Sequence, residues 1–306
     1  MRFLVAFLTL GCLAASAQAP VGLLSSVKGS VKIVRAGKTV QDDAHPADLI
    51  GAEDRLITGA NGEAVFLYCP DPKSARLMSG GEALFGASAL QVKKGKLADE
   101  RKVGGCRLPT TLALSGASQQ QVGLVKTRGR DVNLRTPNRS FVDNTLPRFR
   151  WLPVDGAKSY EVRVTDREEK VLFKTTLTGT EVQYPADGPK LVAGQKYWWR
   201  VVARDSDENV GEAGTFFQTL SENKVAELHT AEADLKKQLA ATPADNGPRI
   251  LLAFLYEENG LFENAALTYD ELIQRLGANE WLENQRNTTL NRIGWNLKDL
   301  ESARKK

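Results

Sequence analysis

The chain has 306 residues, of which 42% are hydrophobic and 25% charged, and a formal net charge of +4. This is the composition of a globular protein of two or three domains, not of a low-complexity or fibrous chain. The positive excess is small for the length and gives no ground for a nucleic-acid partner.

Residues 1–17 read as a secretory signal peptide. Arg2 gives a basic start, Phe3 to Leu13 form an apolar run, and Ala15-Ser16-Ala17-Gln18-Ala19 supplies the small residues a signal peptidase accepts. Cleavage is expected after Ala17, because cleavage after Ala19 would put Pro20 just past the scissile bond. No later stretch approaches the roughly 20 apolar residues of a membrane helix. The mature chain is therefore expected to be exported, periplasmic or envelope-associated, with no transmembrane segment. Thr9-Leu10-Gly11-Cys12 has Thr where a lipidation site has Leu, so no lipid anchor is expected at Cys12. Loss of the leader leaves Cys69 and Cys106, and in an oxidising compartment such a pair is expected to form a disulfide.

Residues 18–108 carry short period-two runs, Val31 to Val34, Arg55 to Thr58 and Ala64 to Tyr68, bounded by Gly, Asn or Asp turns, and predict an all-β domain. Within it, Gly51-Ala52-Glu53-Asp54-Arg55-Leu56-Ile57-Thr58-Gly59 resembles the strand-joining stretch of the FecR-type periplasmic domain. That resemblance implies a FecR-like β-domain and offers, as one alternative, a remnant of a periplasmic signalling regulator. Ala36-Gly37-Lys38-Thr39 lacks the first glycine of a phosphate loop and joins two strands, so it is expected to be a hairpin turn. Asp42, Asp43, His45 and Asp48 crowd one segment, but with no second His or Cys nearby the expectation is a solvated loop and no metal.

Residues 109–130 read as a basic linker with one strand. Over the wider stretch 93–150, thirteen Lys or Arg face four Asp or Glu. The two readings are solvated loop and edge-strand charges, or a surface for an acidic partner or glycan.

Residues 131–220 predict an antiparallel sandwich with strands near Val132 to Leu134, Pro147 to Trp151, Ser159 to Val164, Val171 to Thr176, Lys196 to Ala203 and Gly214 to Leu220. Leu191 to Val201, with Tyr197-Trp198-Trp199, resembles the tyrosine corner of fibronectin type III and immunoglobulin-like domains. The resemblance implies that the Tyr197 hydroxyl bonds backbone upstream. Alternation sends Tyr197 and Trp199 inward, leaves Trp198 and Arg200 outward, and makes Trp151 and Trp199 core residues. Asp205-Ser206-Asp207-Glu208-Asn209 begins like a calcium loop but has Val210 and Phe216 where Gly and Glu are required, so a turn is expected.

From Ser221 the period becomes 3.6, with Val225, Leu228, Ala231, Leu235 and Leu239 on one face and Pro243 as a stop. Leu252, Ala253, Tyr256, Gly260, Phe262, Ala265, Tyr269 and Leu272 resemble a tetratricopeptide repeat, so residues 221–306 are expected to form a tetratricopeptide-like helical domain, closed by one last helix from Asn279 to Leu300. That resemblance turns Phe254, Glu257 and Glu258 toward the concave side as partner-binding residues. The competing reading covers Phe254 with the helix Val225 to Leu239.

The fold class is thus two all-β domains followed by an α-helical bundle. With two histidines in the mature chain and paired cysteines, no catalytic residues, cofactor or enzyme activity are expected. The expected function is protein interaction or scaffolding in the cell envelope, with glycan or peptidoglycan binding as an alternative.

Overall fold

The computed structural model describes residues 19–103, 106, 108, 130–277 and 280–304. The signal peptide, Cys12 and linker residues 109–129 lie outside the described residues.

The first module has ten strands: β1 (Pro20–Lys28), β2 (Val31–Val34), β3 (Gln41–Asp43), β4 (Leu49–Gly51), β5 (Asp54–Thr58), β6 (Glu63–Tyr68), β7 (Lys73–Leu77), β8 (Glu82–Phe85), β9 (Leu90–Lys94) and β10 (Leu97–Lys102). They pair as two five-stranded antiparallel sheets, β10-β7-β6-β1-β4 and β3-β2-β5-β8-β9. Leu24, Ile33, Leu56, Phe66, Tyr68 and Phe85 fill one core.

The Gly51 to Gly59 stretch shows what its polar residues do. Asp54 is 4% exposed. Its carboxylate accepts the Gly51 and Ala36 N–H groups, each at 2.8 Å, and pairs with Arg35 at 2.9 Å, closing the turn where Glu53 takes φ 64°. The Thr58 hydroxyl donates to Met78 O at 2.6 Å and accepts the Gly81 N–H at 2.8 Å, while the Gly59 N–H bonds Ser30 O at 2.8 Å. Each side chain satisfies backbone groups at the ends of the paired strands. Ala36 to Thr39 forms the loop between β2 and β3, as its sequence requires.

The second module contains β11 (Arg130–Asp131), β12 (Leu134–Thr136), β13 (Ser140–Val142), β14 (Arg148–Trp151), β15 (Ser159–Thr165), β16 (Val171–Leu177), β17 (Glu181–Gln183), β18 (Lys196–Asp205) and β19 (Glu208–Thr219). One sheet runs β11-β19-β18-β15-β16 with β13 also on β19, and the other runs β12-β14-β17. Phe149, Trp151, Val162, Tyr184, Trp199 and Phe217 lie in the core between them. Strand β19 begins six residues before the expected Gly214, because Ser206-Asp207 is a two-residue hairpin turn and the ladder with β18 starts at once. Strands β13 and β17 have three residues each, too few for a period to register.

The helices are α1 (Glu222–Ala241), α2 (Gly247–Glu258), α3 (Phe262–Leu276), α4 (Glu280–Arg292) and α5 (Leu297–Arg304). The single last helix expected from the sequence is two helices. Gly294 turns the chain at φ 68°. Asn296 and Asp299 then cap α5 reciprocally, Asp299 Oδ2 accepting the Asn296 N–H at 2.8 Å and Asn296 Oδ1 the Asp299 N–H at 3.2 Å.

The modules share their interior. Leu23, Leu49 and Leu67 of the first module belong to the same buried cluster as Leu228, Leu235, Ile250 and Leu251 of the helices. Cys69 and Cys106 form a disulfide with a Cα–Cα distance of 5.3 Å and pack beside that cluster. By chain entropy, closing a loop of this length contributes about 4 kcal/mol. The denatured, unreduced mature protein should therefore show no titratable thiol, and reduction should lower its melting temperature.

Candidate functional site

The corner of the second module is built as its sequence implies. The Val192 N–H donates to the Tyr197 hydroxyl at 2.7 Å, and the Thr219 hydroxyl donates to Val192 O at 2.7 Å. The turn before β18 is thus tied to β18 and β19 together. Tyr197, Trp199 and Val201 are buried, whereas Trp198 remains 37% exposed. Trp199 Nε1 donates to Pro137 O at 2.7 Å, so this core indole has its polar atom satisfied. Trp151, 2% exposed, packs edge-on against Tyr160 with centroids 5.5 Å apart.

The three residues expected to meet a partner are not brought together on a free surface. Phe254 is only 7% exposed and meets Trp281 of α4 edge-on, with centroids 5.7 Å apart. It is therefore a core residue, in the same buried cluster as Leu228 and Leu235 of α1. Glu257 accepts the Tyr269 hydroxyl at 2.7 Å, and Arg292 stands 3.9 Å away. Burial first, and then the Glu257 carboxylate, push the Tyr269 phenol well above its ordinary range, so it stays a neutral donor. Glu258 alone of the three is exposed.

Within the basic stretch, Lys93, Lys94 and Lys102 are exposed on the edge strands β9 and β10, as the first of the two sequence readings expects. Three of its arginines reach the helical domain: Arg101 pairs with Asp245, Arg135 with Asp299, and Arg150 with Glu263 at 2.8 Å. The Arg135 and Asp299 side chains are 8% and 6% exposed. Trp295 Nε1 also donates to Arg135 O at 2.8 Å, and Asn138 to Ile293 O at 2.6 Å. Beside these contacts a cleft of about 150 Å³ opens between the sandwich and the start of α3, with Arg148, Arg150, Asn144 and Glu263 among its walls. Trp295 and Trp281 were missed in the sequence because they fall off the repeat spacing, although Asn296-Leu297-Lys298-Asp299 carries a readable cap.

His45 and His229 each stand near one carboxylate, Asp48 at 3.9 Å and Asp143 at 3.6 Å. Asp43 of the acidic segment is held by Lys32 at 2.5 Å. Among the described residues no three His, Cys, Asp or Glu side chains gather as metal ligands, and no helix is long and apolar enough to cross a membrane.

Residues 132–219 match the family of Rha78A-like N-terminal immunoglobulin domains. The second module is thus an immunoglobulin-like sandwich. No curated protein is significantly similar to the chain. Among solved structures, the FN1–FN3 domains of chicken CNTN1 are 10% identical, with 67% of this chain and 64% of that one covered and a TM-score of 0.23. A β-glucuronidase from Ruminococcus gnavus in complex with an N1-substituted uronic isofagomine is 8% identical, with 90% and 58% covered and a TM-score of 0.21. The chain spans about three fifths of the length of these two structures.

Two outcomes test this assignment of roles. Tyr197→Phe should destabilise the protein by about 1–3 kcal/mol through the unpaired Val192 N–H, and Trp198→Ala by much less, as denaturant titration would show. Phe254→Ala should cost about 3–5 kcal/mol, whereas Glu258→Ala should stay within about 0.5 kcal/mol of the parent.

Proposed function

We propose that the chain is an exported, non-catalytic cell-envelope protein that acts in protein interaction or scaffolding, with a FecR-type domain and a fibronectin III-like sandwich held by a tetratricopeptide-like helical domain. The observation that carries this reading is the use made of the helices. Leu228, Leu235, Ile250 and Leu251 pack on the first module, and Asp299 and Trp295 hold the sandwich, so the helices keep two β-modules of the same chain in fixed relation.

Two glycines mark where the holding is closest. A Cβ at Gly247 would lie 2.9 Å from Leu67 Cδ1, and one at Gly260 would lie 2.5 Å from Phe141 Cδ2. Phe141 N–H also bonds Gly260 O at 3.0 Å. Such a body presents the outer surfaces of its β-modules at set distances, which suits a scaffold. The Asp54 and Thr58 contacts support the FecR-type reading, since they give that motif a structural task independent of signalling. A glycan- or peptidoglycan-binding role is the second reading, and it is favoured by the exposed Trp198 on the sandwich.

Crosslinking in the native envelope, followed by mass spectrometry, tests the first reading. A reproducible set of protein partners is expected, and it should shrink in Asp299→Ala. That change leaves Arg135 as a buried unpaired charge, at a cost of about 3–5 kcal/mol, and loosens the helices from the sandwich. Retention on insoluble peptidoglycan with no protein crosslinks would favour the second reading and end the first.

A further inference from the structure

The outer face of the larger sandwich sheet is ordered in rows. Alternation sends Glu161, Arg163 and Thr165 of β15 outward, together with Lys174 of β16, Lys196, Trp198 and Arg200 of β18, and Glu212, Gly214 and Phe216 of β19. The register sets Lys174, Arg163 and Arg200 opposite one another on three successive strands, with Gly214 next in line. The neighbouring row is Thr165, Trp198 and Phe216. Lys196 Nζ lies 3.6 Å from the Phe216 ring centroid and 5.6 Å from that of Trp198.

Like charges directly opposite on adjacent strands cost stability. The cationic row is relieved from below. Glu161 lies 3.1 Å from Arg163, 3.4 Å from Lys174 and 3.5 Å from Arg204, and Glu212 takes Arg200 at 2.5 Å. These carboxylates are recessed, their side chains 15% and 14% exposed, while Arg163, Lys174 and Arg200 stand 44%, 50% and 55% exposed. An approaching molecule meets cations and one aromatic plane.

We propose that this face binds an acidic, uronic-acid polysaccharide, its carboxylates on the row Lys174, Arg163 and Arg200 and a sugar ring stacked on Trp198. The strands that carry these cations lie about 4.8 Å apart, close to the length of one pyranose unit. Gly214 leaves the surface flat beside Arg200, where a ring can lie. The occupant is chosen by charge and by the makeup of the face. The chain's own residues 109–129 contain Lys126 and Arg128 and no acid, so they do not complement it. A globular partner centres on an apolar, charge-depleted core, and one indole among four cations does not provide one. A peptide bound by backbone pairing would take a strand edge and not a face. The proposal rests on the glycan-binding reading and narrows it to one class of sugar chain; failure of polygalacturonate binding leaves retention on peptidoglycan, and so that reading, open.

Calorimetric titration of the full mature chain tests it, with polygalacturonate as probe and dextran and polyglutamate as controls. Polygalacturonate should bind, more weakly as salt is raised, and each control should bind at least about tenfold more weakly. Trp198→Ala and, separately, Arg163→Ser should each lower the affinity by about tenfold or more with the melting temperature of the parent retained. Absence of polygalacturonate binding, equal binding of dextran or polyglutamate, or unchanged affinity in the correctly folded Arg163→Ser protein would overturn it.

Discussion

The fold depends on the burial of one apolar surface that no module closes alone. Helices α1 and α2 turn Leu228, Leu235, Ile250 and Leu251 toward the back of the first sheet, where Leu23 of β1, Leu67 of β6 and Leu49 of β4 meet them. The helices do not close this apolar face by packing on one another, since their leucines lie in one cluster with those of the sheet. The β-sheet closes it. Full burial of one leucine is worth about 1.5–3 kcal/mol, so these side chains outweigh the exposed ion pairs, each worth about 0–1 kcal/mol. Gly247 is what allows the approach, because any side chain there would strike Leu67 and Ser25.

Electrostatics then fixes orientation more than it supplies stability. The stretch 93–150 is basic, and residues 221–304 carry fourteen Asp or Glu against nine Lys or Arg. The two are joined at Arg101–Asp245, Arg135–Asp299 and Arg150–Glu263. Arg135–Asp299 differs from the others by being buried on both sides, so its net gain over a hydrophobic pair is small and its rupture is costly. Such a pair defines which way the sandwich sits on α5. Trp295 fixes the same geometry by a neutral route, inserting its indole N–H at the Arg135 carbonyl.

What could be read in the sequence follows from how local each signal is. The Tyr197 corner was legible through the resemblance of Leu191 to Val201 to the fibronectin type III corner, a motif contained in one short stretch, and its donor, Val192, lies five residues away. The inward set Tyr197, Trp199 and Val201 followed from alternation alone. By contrast, Phe254 was assigned from the geometry of a stacked repeat, and its ring partner, Trp281, sits on a helix with little apolar period. The adjacent buried pairs Leu23–Leu24 and Phe66–Leu67 did carry a signal. A strand that buries consecutive residues has cores on both faces, and here one residue of each pair enters the β-core and the other the shared cluster. The three interdomain ion pairs left no such trace, because net charge does not say which arginine finds which carboxylate.

The disulfide belongs to the same interface as the leucines. Cys69 follows β6, whose Leu67 faces the helices, and Cys106 lies between Val103 and Leu108, both members of the shared cluster. The bond therefore does more than close the first module. It anchors the segment leaving β10 against the surface that α1 and α2 cover, before the chain crosses to the sandwich. Order at the helix interface is in this way coupled to the oxidation state of two residues in the β-module. An oxidising compartment thus favours the whole three-part body and not only its first part.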